Sequence, residues 1–191
     1  MNTTTRFFFE DDQPKVSRRD KVIAGLEKKV AAFDKDLADL NKQMEAASGM
    51  KKQWLKTKIF GISKLKAVTQ GAINKLKPIA QQADGAEKKA ATLKEKLANA
   101  TETVKTKISE QLSRIKAFLQ SLAIRWKQIL TKAKIAIANT KKAMYSKLQQ
   151  FAKNPEFKKA WGSKIKEVEA HVGDLNKRMS GFEKDLMKLR K

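Results

Sequence analysis

His171 is the only histidine in the chain. On a helix it shares a face with Glu167, four residues before it, and Asp174, three residues after it. One imidazole between two carboxylates is the least from which a metal site could be imagined. However, Val168, Val172 and Leu175 form an apolar row beside it, so His171 falls on the flank, in a solvated row of charges. Cysteine is absent, which removes thiolate ligands and disulfides. No Gly-rich phosphate loop is present, and the Ser and Glu residues show no convergent pattern. No enzymatic activity, metal, cofactor or small-molecule substrate is expected.

The chemistry that remains is electrostatic. The chain carries 43 Lys and Arg against 20 Asp and Glu, a formal charge of +23. A surplus of that size calls for an acidic partner or an anionic surface. It is unevenly placed. Residues 1–49 balance nine basic against nine acidic groups, whereas residues 113–155 carry ten basic groups and no acid. Residues 46–83 also lack acids. The candidate polyanion-binding residues are therefore Arg114, Lys116, Arg125, Lys127, Lys132, Lys142 and Lys147, together with Lys52, Lys56, Lys64 and Lys75.

Two polyanions fit such a surface. Nucleic acid, DNA or RNA, would be held through its phosphates without sequence reading, because no zinc finger, RNA-recognition signature or helix-turn-helix is evident. An anionic membrane is the alternative, since "WLKTKIFGISKLKAVTQGAINKLK" mixes Trp, Phe, Leu and Lys as interfacial helices do. Lys58 and Lys66 interrupt the apolar face of that segment. A third reading is architectural: a scaffold component of a larger assembly, such as a virion or a secretion-type machine.

Long helices must carry these charges. The chain has three Pro and eight Gly and is rich in Ala, Lys and Leu, which favours helices over strands. Residues 1–14 read as a flexible arm, and its Phe7, Phe8 and Phe9, followed by three acids, form a possible docking peptide. Ser17 with Asp20 marks a helix start. Ile23, Leu26, Val30, Phe33, Leu37 and Leu40 then recur at alternating spacings of three and four, a heptad seam over 17–47. A second helix is expected over about 51–77, ending before Pro78, with "ADG" at 83–85 as a turn.

Residues 86–153 contain no Gly or Pro and are expected to form one very long central helix, roughly 100 Å at about 1.5 Å per residue. Leu93, Val104, Ile115, Trp126, Ile137 and Leu148 repeat every eleven residues along it. "NPEF" at 154–157 opens a last helix over about 156–190. Trp161, Ile165, Val168, Leu175, Phe182 and Leu186 mark its own heptad seam.

The expected fold is all-α: an elongated coiled-coil bundle over 15–191, with heptad helices at both ends as seams for self-association or protein partners. The last helix is expected to lie beside the first and beside the second half of the long central helix. "MNTTTRFFFEDDQP" is too short in apolar residues for a secretory core, and no stretch is long enough to span a bilayer. An intracellular, cytoplasmic place, or one inside a larger assembly, is the corresponding expectation.

Overall fold

In the computed structural model, which describes residues 17–189, four helices follow one another: α1 (Arg18–Glu45), α2 (Gly49–Ala98), α3 (Glu102–Phe151) and α4 (Pro155–Lys188). There is no strand among the described residues. Phe7, Phe8 and Phe9 lie outside them.

The ends follow local chemistry. The Ser17 hydroxyl accepts from the Asp20 amide at 3.1 Å and starts α1. α1 stops at Glu45, and α2 opens at Gly49, whose φ of 53° suits a residue without a Cβ. Asn154 accepts from the Glu156 amide at 2.8 Å, with Pro155 in the first turn of α4.

The middle of the chain differs from the sequence expectation in two places. No helix ends before Pro78 and no turn forms at 83–85, because α2 runs unbroken through both for 50 residues. Proline inside a helix costs about 3 kcal/mol. Here Pro78 faces solvent, while Ile73, Leu76, Ala80 and Ala83 around it are buried. Burial of the large apolar side chains, worth about 2 kcal/mol each, offsets that cost. The second correction follows: residues 86–153 are not one helix. The chain reverses at Asn99, Ala100 and Thr101, between Lys96 near one helix end and Glu102 at the next start, charges that suit both helix dipoles.

The result is a hairpin of two 50-residue helices, each roughly 75 Å long at about 1.5 Å per residue. Its interior holds Ile73, Leu76, Leu119 and Leu122, all essentially inaccessible to solvent. Thr69 is also buried in α2, and its hydroxyl donates to the Leu65 carbonyl at 2.8 Å. Of the series spaced by eleven, Trp126 and Leu148 are buried, Leu93, Ile115 and Ile137 half-buried, and Val104 exposed.

Each helix packs only on its neighbours in chain order. α1 runs back along the first part of α2, with Ile23 in one cluster with Ile73, Leu76 and Trp126. Leu40 and Leu55 close the other end of that interface. Arg19, itself buried, ties the start of α1 to α2 through Asp84 at 2.7 Å and Glu87 at 2.8 Å. α4 rests on α3, one of its two expected neighbours, and not on α1, the other. Ile124, Thr131, Ala138 and Tyr145, spaced by seven, form the α3 face that receives it. Tyr145 meets the Trp161 ring at 5.4 Å. Because α1 begins opposite Asp84, no other described helix covers the hairpin beyond residue 88 of α2.

Candidate polyanion interface

Charge divides by helix. α2 holds twelve Lys against Asp84, Glu87 and Glu95; α3 holds eleven basic residues against Glu102 and Glu110. α1 and α4 are nearly balanced, with seven basic against six acidic and eight against six. The flanking helices spend part of their acids where they touch the hairpin. Asp34 pairs with Lys66, Glu27 with Lys77 at 2.9 Å, and Glu169 with Lys142 at 2.7 Å. A cleft of about 440 Å³ between α1 and α2 is lined by Asp20, Glu27 and Asp84 around Lys77.

The opposite side of α2 is different. At about 100° per residue, Lys64 and Lys75 come within about 20° of one another, and both lie roughly 180° round the helix from the α1 contacts. On α3, Arg114, Arg125 and Lys147 repeat at eleven or twenty-two residues, and Lys132 joins the same face. Lys75 and Lys132 line one cleft of about 420 Å³, whose floor is Val68, Gly71, Ala72, Ile129, Ala133 and Ala136. Lys64 and Lys147 line a second, of about 210 Å³, with Gly61, Ala143 and Met144. Arg114 lines a third near the tip, about 570 Å³, with Lys88 and Lys89. All three lie on one face of the hairpin and form a groove flanked by cations. Among the described residues no carboxylate lines any of them.

Small residues make this groove. Gly61 is buried, and a Cβ there would meet Met144 Sδ at 2.9 Å, so the two backbones approach as closely as side chains permit. Lys64, Lys75, Arg114, Arg125, Lys132 and Lys147 are exposed. Lys64 and Lys147 stand over the Phe60 ring at 4.6 and 4.9 Å, which steadies two of the six.

The structure therefore divides the sequence candidates. Five line the groove, and Arg125 shares their face by its spacing of eleven residues from Arg114. Lys116 and Lys127 project from the other side of α3, Lys52 and Lys56 lie on the outer edge of α2, and Lys142 is taken up by Glu169. Lys88, Lys89 and Phe60 belong to the groove and were not among the candidates. For Lys89, the signal available was its place within about 40° of Lys75 round the helix.

The assembly-seam residues behave differently from a fully packed core. Ile23, Leu40 and Leu175 are buried, whereas Leu26, Val30, Phe33, Leu37, Trp161, Ile165, Val168, Phe182 and Leu186 are only half-buried. His171 is exposed on α4, and among the described residues no group of three His, Asp or Glu side chains could hold a metal ion. No described helix is long and apolar enough to cross a membrane. No protein-family model, no curated protein and no solved structure matches this chain.

Proposed function

We propose that the protein is a non-enzymatic attachment protein whose α2–α3 groove holds a polyanion, nucleic acid first, through its phosphates. The observation that carries this reading is a groove face with six exposed cations and, among the described residues, no carboxylate in its lining. Coulomb repulsion among those cations is relieved by phosphates of the ligand, and the counterions released drive binding. The floor of small and apolar side chains offers few groups able to read base edges, so binding is indifferent to sequence.

Half-covered seams on α1 and α4 favour a second, compatible reading. Added copies or partner helices complete them as coiled coils, and the protein then serves as a cationic rod in a larger intracellular assembly or virion. The eleven-residue spacing of Arg114, Arg125 and Lys147 keeps the cations on one line along that rod.

A salt titration of binding to DNA and RNA of unrelated sequences tests the first reading. Six neutralised phosphates give a log–log slope of roughly −5 on duplex DNA. Absence of binding near physiological salt, or strong preference for one sequence, would overturn it.

A further inference from the structure

Among the described residues eight large apolar side chains are exposed, and four of them lie at one end of the molecule. Met50, Trp54 and Phe60 occupy the first turns of α2, and Phe157 the first turn of α4; their exposures are 50, 37, 48 and 62%. Antiparallel packing brings these elements together. The loops 46–48 and 152–154 both belong to this end, and Lys147 near the end of α3 reaches the Phe60 ring.

The same end is strongly cationic. Lys58 sits 4.0 Å over Trp54, Lys64 and Lys147 sit over Phe60, and Lys164 lies 5.2 Å over Trp161. Residues 46–83 and 111–155 contribute no acid here. Exposed aromatic rings flanked by lysines are the composition that settles at a bilayer interface, with rings among the headgroups and ammonium groups on lipid phosphates. Lysines stacked on Trp54 and Phe60 set ammonium groups beside the exposed rings, the arrangement that matches a layer of lipid phosphates over acyl chains. Because no described helix is apolar enough to cross a bilayer, the contact is superficial.

We infer that this end of the molecule docks onto an anionic lipid surface, with Trp54, Phe60 and Phe157 inserted at headgroup level and the surrounding lysines on lipid phosphates. The site meets the groove at Phe60, Lys64 and Lys147 but extends beyond it to Trp54 and Phe157, and it does not rest on the nucleic-acid reading. Side-on adsorption of the groove to the same surface would be purely electrostatic; end-on docking is not.

The test is flotation of the full chain with phosphatidylcholine vesicles, with and without phosphatidylglycerol. Expected is binding to the anionic vesicles that persists at roughly 0.5 M salt, where the screening length is only about 4 Å. The combined Trp54→Ser, Phe60→Ser and Phe157→Ser variant should bind at least about fivefold less, with unchanged helicity because all three side chains are exposed. A groove variant, Arg125→Gln with Lys132→Gln, should retain vesicle binding. In a Trp161→Phe background, Trp54 emission should shift to the blue on binding, since Trp126 is already buried. No vesicle binding, equal binding by the aromatic variant, loss confined to the groove variant, or binding without the emission shift would each overturn the inference.

Discussion

The two sides of α2 meet their neighbours by opposite rules. Toward α1 it faces Asp20, Glu27 and Asp34, and its lysines are paired; toward the open side of α3 it faces Lys132 and Lys147 with no carboxylate between them. Matched charges leave a wall closed, while unmatched charges leave it seeking an anion. One helix thus has a structural face and a candidate binding face, set about half a turn apart. The same contrast separates the hairpin, which holds the surplus, from the balanced flanking helices.

Substitutions can break this comparison, beginning with the core that both faces share. Leu76 is fully buried between α1 and α3, so Leu76→Asp should cost more than about 4 kcal/mol in urea unfolding followed by circular dichroism. The same change at half-buried Leu37 of α1 should cost about half as much. Equal losses would mean that the flanking seam is packed as tightly as the hairpin.

Next in size is the groove. Converting Lys75, Arg125 and Lys132 to Gln should move the salt slope from roughly −5 to about −3, while converting Lys116, Lys127 and Lys142 should leave it nearly unchanged. If both triplets act alike, the face does not matter and only total charge does.

Arg19→Ala removes the clamp on Asp84 and Glu87 and should cost about 2 kcal/mol, the scale of charge-assisted hydrogen bonds on a buried donor. Hydrogen exchange should show the loss concentrated in the first turns of α1. Smallest of all, Lys77→Gln breaks an exposed pair with Glu27 and should change stability by less than about 0.5 kcal/mol.

Much of the fold was legible wherever helix ends carry strong side-chain signals. Ser17 with Asp20 and Asn154 with Pro155 cap helices as their types suggest, and the break expected between residues 47 and 51 lies within a few residues of the observed one at 46–48. The hairpin reversal was hidden because its residues are weak markers. Asn99, Ala100 and Thr101 include neither Gly nor Pro, and the Thr101 side chain makes no capping bond. The louder signals, Pro78 and Gly85, sit on exposed positions of a helix held by buried neighbours, where packing overrides local preference. Within the site, residue type revealed the cations, but not which were already matched. Lys142 looks like Lys132 in the sequence, and only the placement of Glu169 on α4 separates them.

Contacts restricted to chain neighbours have a kinetic consequence. Such a topology has low contact order, since no helix waits for a distant part of the chain before it docks, and domains of this kind fold on microsecond to millisecond timescales. Stability then behaves as a sum over three interfaces in series, as in repeat arrays. α1 and α4, each attached at one interface only, should dissociate before the hairpin under load or denaturant. The hairpin, shared by two interfaces on α2 and two on α3, should be the last to melt.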